Sequence, residues 1–89
     1  MLRMMVVFEV YLAPGADPSQ LLSAETLRET GAQVMTIDDA RKVGFAGLPD
    51  PPAGTEVRLI AVAKRDAPWI HRAMETNDAA ATFRVHEVG

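Results

Sequence analysis

One short segment near the middle of the chain constrains the fold more than any other: TEVRLIAVAKR, at Thr55–Arg65. Its centre, Val57–Ala63, is almost continuously apolar, with Gly54 before the segment and Asp66-Ala67-Pro68 after it. A strand that meets water on one face alternates apolar and polar residues, whereas a continuous apolar run is typical of a strand buried on both faces. The segment therefore predicts a central strand, with strand, helix and strand before it and helix and strand after it.

The residues before this strand predict two strands separated by a helix. Met4–Leu12 predicts the first strand, whose side chains point alternately to its two faces, and Glu9 is the only charged residue on one of them. The sequence DPSQ, with Asp17 as N-cap, predicts the start of the helix, and Gly31 predicts a left-handed cap at its end. Ala32–Asp38 predicts a second strand, nearer an edge of the sheet. The inward stripe of the helix is predicted from apolar residues at helical spacing: Leu21, Leu22, Ala24 and Leu27.

The rest of the chain completes the pattern. Asp39–Gly47 either continues the second strand with a bend at Gly44 or leaves the sheet as a loop, and the proline-rich Leu48–Gly54 predicts a loop. Pro68–Thr76 predicts a second helix, and the alternation over Thr82–Val88 predicts an edge strand. The two predicted faces of that strand are Phe83, Val85 and Glu87 on one side and Arg84 and His86 on the other.

This order of elements, β-α-β-β-α-β, predicts a single α+β domain over residues 1–89 with the ferredoxin-like arrangement. Right-handed crossovers place both helices on one face of a four-stranded antiparallel sheet. The opposite face then carries side chains that the two helices do not cover: Met5, Val7 and Tyr11, with either Ile60 and Val62 or Leu59 and Ala61. Because soluble monomers rarely expose an apolar face of that size, we expect it to pack against another subunit.

The composition excludes several functional classes. With a net charge of -3 and a pI of about 5.2, the chain lacks the basic surface that binds nucleic acid or an anionic membrane. The absence of cysteine excludes disulfides and thiol chemistry and favours a cytoplasmic protein. The two histidines, His71 and His86, have no metal-binding spacing, so we expect neither a metal nor a cofactor. We predict no membrane span, since no run approaches the ~20 apolar residues required.

Two charged clusters have both a functional and a structural interpretation. Asp38, Asp39, Arg41 and Lys42 could bind a cation or a phosphate, but consecutive residues at a strand end point to opposite faces and favour mutual salt bridges. The pair Lys64-Arg65 precedes the second helix and could hold an anion with help from free backbone N–H groups. Its structural interpretation is a solvated strand end.

Three further features are open to both interpretations. The loop Gly44-Phe45-Ala46-Gly47 could bring backbone close to a ligand or a neighbouring chain. Trp69 could stack on a ligand, although an aromatic residue at a helix start more often packs at a core edge or a subunit contact. His71 and His86 could each act as a general base, whereas a surface histidine without a catalytic role is the commoner case.

The segment GAQVMTIDDARKVGFAG, from Gly31 to Gly47, resembles part of the nitrogen-regulatory PII-like proteins. The matching positions are Gly31, Met35, Thr36 and Gly44, and the closing FRVHEV is similar to the last core strand of that family. The resemblance implies a ferredoxin-like trimer that binds ligands between subunits. It leaves nucleotide binding open, because the sequence ETNDAAAT replaces the glycine-rich phosphate turn of the family and the loop after Gly44 is short.

Two hypotheses of function follow. The first is a PII-like regulatory or ligand-binding protein without enzymatic activity or catalytic residues, a homotrimer that takes a small or anionic ligand and possible protein partners. Its expected ligand-binding residues, in a cleft between subunits, are Lys42, Gly44, Phe45, Lys64 and Arg65.

The second hypothesis is an enzyme of the dimeric α+β barrel kind, in which two sheets face each other around a small pocket. There His71 or His86 is the acid–base residue and Tyr11 lines the pocket. The fold alone does not separate the two.

Overall fold

The computed structural model describes residues 4–44 and 53–88, the last of these by its backbone alone. Four strands form one antiparallel sheet in the order β2-β3-β1-β4. The strands are β1 (Met5–Leu12), β2 (Gln33–Met35), β3 (Val57–Ala63) and β4 (Ala80–Val88), and the helices are α1 (Ala24–Thr30), α2 (Ile37–Lys42) and α3 (Ala67–Glu75). The predicted ferredoxin-like arrangement is confirmed, with β1 and β3 at the centre of the sheet.

The main core lies on the face of the sheet that packs against α1 and α3. Phe8 of β1 and Ile60 of β3 are opposite each other in the strand register, and both are fully buried with Ile70 of α3. The next residues along β3, Leu59 and Ala61, belong to a separate cluster on the other face. The prediction that β3 is buried on both faces is therefore confirmed.

A third helix, α2, lies on the opposite face of the sheet, which the sequence predicted to be bare. Its Ala40 is fully buried in a second cluster. The sheet residues of this cluster are 3%, 0% and 4% exposed: Val7, Leu59 and Ala61. The prediction of an uncovered apolar face was thus wrong for this part of the sheet, because it counted only two helices. Among the described residues, this cluster contains no residue of β4 and none from the end of β1, so the contact of α2 does not extend to that part of the face.

Helix α2 forms where the sequence suggested the end of a strand. The hydroxyl of Thr36 caps the helix by accepting a hydrogen bond from the backbone N–H of Asp39 at 3.1 Å. Asp38 and Asp39 occupy the first turn and Arg41 and Lys42 the last, which is the charge order that the helix dipole favours. The four charged residues predicted at a strand end therefore lie on a helix, so the argument that consecutive residues point to opposite faces of a strand does not apply to them.

Element boundaries also differ from the predictions, most of all at the second strand and the first helix. The second strand was predicted over Ala32–Asp38 and spans only Gln33–Met35, at the edge of the sheet as expected. The first helix was predicted to begin after Asp17, but Asp17 caps a 3-10 turn at Pro18–Gln20 and α1 begins only at Ala24.

The cap of α1 is Ser23, whose hydroxyl accepts a hydrogen bond from the N–H of Thr26 at 3.1 Å. Ala24 is exposed, so it does not belong to the inward stripe, whereas Leu21 and Leu22 are buried. The left-handed cap at Gly31 is confirmed by a φ of 68°.

The segment between α2 and β3 is only partly described. Gly44, just after α2, has a φ of 99°, a conformation that favours glycine. Phe45 and most of the predicted proline loop lie outside the described residues. Among the residues that are described, no helix has the length and apolar character needed to cross a membrane.

Candidate functional site

The register of β1 and β4 brings four polar residues together on the sheet face that α2 partly covers. Glu9 of β1 is paired with Arg84 of β4, Val7 with His86, and Tyr11 with Thr82. Because side chains alternate between faces along a strand, Glu9 and Tyr11 share one face with Arg84 and His86. The predicted separation of Arg84 and His86 from Phe83 and Val85 is thereby confirmed.

The carboxylate of Glu9 is the centre of this cluster, which we call the Glu9 cluster: Glu9, Tyr11, Arg84 and His86. Glu9 is only 3% exposed. Its Oε1 lies 2.9 Å from Nε2 of His86, and its Oε2 accepts a hydrogen bond from the phenol of Tyr11. The His86 side chain is 42% exposed, so a buried acid holds a histidine that solvent and ligands can reach.

The electrostatics of the cluster keep Glu9 ionised. Burial is the largest single influence and by itself raises the pKa of Glu9. The hydrogen bonds from Tyr11 and His86, with the positive charges of His86 and Arg84, more than offset it, so that the pKa of Glu9 lies below its usual value. The same hydrogen bond to Glu9, followed by burial, raises the pKa of the Tyr11 phenol. At neutral pH the carboxylate therefore carries a charge and the phenol keeps its proton.

This arrangement fixes the tautomer of His86. An ionised carboxylate only accepts hydrogen bonds, so Nε2 of His86 carries the proton that points to Glu9. The other ring nitrogen, Nδ1, is then unprotonated in the neutral ring and can take a proton from another molecule. A histidine held by a buried carboxylate through one nitrogen is the arrangement that general bases use in several unrelated folds.

His71, the other candidate base, lies on the helix side of the sheet. Its Nδ1 is 2.7 Å from Glu75 Oε1, one helical turn away, and the two side chains are 49% and 59% exposed. The ring packs edge-on against Phe83 with centroids 5.2 Å apart. It borders an open groove of about 520 Å³ between α3 and β4. His71 thus has an exposed surface partner, whereas the acid that holds His86 is buried.

The residues predicted to bind a ligand between subunits are not brought together by contacts within the described part of the chain. Lys64 pairs with Glu87 at 3.8 Å, and Arg65 pairs with its neighbour Asp66 at 3.6 Å. Neither forms a hydrogen bond or ion pair with Lys42 or Gly44 of the described segments. Phe45 lies outside the described residues. A cleft between subunits is not tested by one chain, so this site stays a prediction.

Two other sequence candidates have surface positions. In the charged cluster on α2, Arg41 lies 3.8 Å from Asp38, an exposed pair of the kind predicted structurally. Trp69 is 64% exposed and borders a groove of about 530 Å³ between α1 and α3. Trp69 therefore does not pack into the core of this chain, and its role at a subunit contact stays a prediction.

The sequence interpretation missed Glu9 as a site residue. Its signal was present, since Glu9 is the single charged residue on an otherwise apolar strand face. Tyr11 and His86 were both candidates, but the residue that joins them was not. Among the described residues, no three His, Asp or Glu side chains lie close enough to hold a metal ion.

A scan against protein-family models finds no match to this sequence. A search of curated proteins likewise finds none that matches. The resemblance to PII-like proteins therefore stays a prediction, and the function has to be inferred from the geometry of the site.

Proposed function

We propose that the chain is an acid–base enzyme of the dimeric α+β barrel kind, which moves a proton at a carbon atom of a small molecule. The observation that carries the proposal is the contact of 2.9 Å between the buried Glu9 carboxylate and Nε2 of His86. His86 is the catalytic residue, and its Nδ1 takes and returns the proton. The active face is the part of the sheet formed by β1 and β4.

Glu9 and Tyr11 act through His86 in this proposal. Glu9 orients the imidazole ring and stabilises the imidazolium that forms when Nδ1 is protonated. Tyr11 holds the second carboxylate oxygen, which fixes the direction of the first. Both are positioning residues, because they align the base before a substrate binds.

The second wall of the pocket comes from another copy of the sheet in this proposal. Helix α2 covers Val7, Leu59 and Ala61 but does not prevent access to His86, whose side chain is 42% exposed. Two sheets that meet over the β1 and β4 part of the face would enclose both copies of the cluster. Exclusion of water there would strengthen the electrostatic effect of each carboxylate.

A test that needs no knowledge of the natural substrate is the base-catalysed ring opening of 5-nitrobenzisoxazole. A base removes the proton from its ring carbon, the N–O bond breaks, and a coloured cyanophenolate forms. We expect the protein to open the ring about 100-fold faster than free imidazole at equal concentration, the low end of what a positioned base contributes. His86→Asn should abolish this advantage.

The matched control is His71→Asn, which removes the other histidine of the chain. Its exposed partner and its place on the opposite side of the sheet predict an unchanged rate. Equal losses in both variants, or a wild-type rate no higher than that of free imidazole, would refute the proposal. Circular dichroism of each variant establishes that the fold is retained.

A PII-like regulator is the second candidate, supported by one specific observation. Two of the positions that match that family, Gly31 and Gly44, both have positive φ, at 68° and 99°. Its test is calorimetry with ATP and with inorganic phosphate, using Lys42→Ala and Arg65→Ala. Binding that both variants weaken would favour this candidate, and unchanged binding would exclude the predicted cleft.

A further inference from the structure

Arg84 lies beside Glu9 and His86, and the proposed acid–base step gives it no role. It is directly opposite Glu9 in the register, and it precedes His86 by two residues on the same strand. Two residues along a strand span about 7 Å and place both side chains on one face. The guanidinium and the imidazole therefore border the same area of the sheet.

The guanidinium of Arg84 has no hydrogen-bond or ion-pair partner among the described residues. Both oxygens of the nearest acid are already occupied, since Oε1 of Glu9 faces His86 and Oε2 accepts from Tyr11. Arg84 is exposed and reaches Glu9 only through its field. The N–H donors of Arg84 are therefore available to an anion from outside the cluster.

The charges of the neighbouring strands favour an anion at this place. On the described strands, Glu9 is the only acid that the register assigns to this face, and it is already hydrogen-bonded. Glu87 of β4 points to the opposite face, where it pairs with Lys64 at 3.8 Å. The exposed charge beside His86 is therefore positive.

We propose that the substrate is a small 2-oxo acid whose carboxylate binds Arg84 while His86 removes a proton from the carbon next to its carbonyl. The inference rests on the proposed function and names its substrate class. The C–H bond breaks, an N–H bond forms at Nδ1, and the electron pair moves to the carbonyl oxygen to give an enolate. Return of the proton from Nδ1 restores the keto form, so no other reactant is consumed. A planar guanidinium suits a carboxylate because it offers two parallel N–H donors.

The experiment compares two probes that differ mainly in charge, pyruvate and its neutral amide, pyruvamide. Exchange of their methyl protons for deuterium in D2O reports enolate formation and is measured by NMR. We expect Arg84→Gln to raise KM for pyruvate at least about 10-fold, since the charge-assisted hydrogen bonds to the carboxylate are lost. The exchange of pyruvamide, which has no carboxylate for Arg84 to bind, should fall by much less than that of pyruvate. Arg72→Gln, on α3 at the other side of the sheet, is the control and should change neither.

The outcomes separate this inference from the function on which it rests. If wild-type protein exchanges both probes and Arg84→Gln slows them equally or not at all, the carboxylate assignment is wrong and the acid–base function stands. If wild-type protein exchanges neither probe, the 2-oxo acid assignment is refuted, and the ring-opening assay decides whether the acid–base function stands. Selective loss of pyruvate exchange, with weaker pyruvate binding at high salt, supports the assignment.

Discussion

At Tyr11, a phenol proton is held between its own oxygen and a buried carboxylate, and this can be measured directly. Tyr11 is the only tyrosine of the chain, so the ultraviolet absorbance of tyrosinate reports on it alone. The hydrogen bond to Glu9 raises the pKa of Tyr11, and we expect titration of the folded protein to give a midpoint above the ordinary value of about 10. Glu9→Gln should move the midpoint back toward that value. A midpoint that is the same in both proteins would contradict the contact.

Glu9 also predicts how stability depends on pH. Its pKa is lower in the folded chain than the value of about 4.3 expected for an unfolded one. The folded state thus favours the ionised form, and this contribution is complete above the unfolded pKa and disappears as the pH falls through the folded pKa. Thermal unfolding between pH 6 and pH 3 should show a larger loss of Tm in wild type than in Glu9→Gln.

The matched control for that measurement is Glu25→Gln, which removes an exposed carboxylate from α1. Its pH dependence should follow that of wild type. If Glu9→Gln retains the whole wild-type loss of Tm on acidification, Glu9 is not the carboxylate that couples folding to pH.

Individual site residues could be recognised from the sequence, but the contacts between them could not be predicted. Alternation predicted that Glu9 and Tyr11 share a face of the first strand and that Arg84 and His86 share a face of the last strand, because the period of a strand is two residues. Which residue of β4 lies opposite Glu9 depends on the register, and a shift by one residue would turn His86 to the helix side. The sequence contains no short-range signal for a pairing between such distant strands.

Helix α2 offers a test of packing at the level of one element. Ala40 is fully buried between α2 and the sheet. Ala40→Leu adds atoms where the cluster has no room, and we expect it to lower the free energy of unfolding by about 1–3 kcal/mol in urea titrations. Lys42→Leu, at an exposed position of the same helix, is the control and should change it by less than about 0.5 kcal/mol. Equal effects in the two variants would mean that α2 does not rest on the sheet.

The missed helix shows what limits prediction at this level. Residues 36–42 are too few for hydrophobic periodicity to separate helix from strand, since a helix of six residues contains less than two turns. Its real signals were the cap at Thr36 and the order of acids before bases. The longer elements β1, β3 and α3 were predicted closely because the apolar pattern of each extends over seven to nine residues, including the continuous run of β3.

For the whole molecule, the proposed function predicts a dimer. Light scattering on a sizing column should give a mass near twice 9.6 kDa, independent of the buffer anion. A trimer would favour the PII-like candidate instead. A monomer at all concentrations would remove the second wall from the proposed pocket and contradict an enclosed site.

Trp69 can show which side of the molecule meets the partner. It is the only tryptophan and is 64% exposed on the helix side of the sheet. If subunits meet through the face of the Glu9 cluster, Trp69 stays exposed, and acrylamide should quench its fluorescence equally in dilute and concentrated protein. Protection that grows with concentration would place the interface at the groove between α1 and α3.

The separation of Glu9 and His86 by 77 positions has a consequence for the life of the molecule. Glu9 is synthesised before His86, so in the proposed mechanism a nascent chain has no aligned base until β4 pairs with β1. Such distant pairings form late in folding, because the entropy of closing a long loop is lost before any contact is gained. Cleavage before β4 would remove the proposed base His86 together with Arg84, while Glu9 stays on β1.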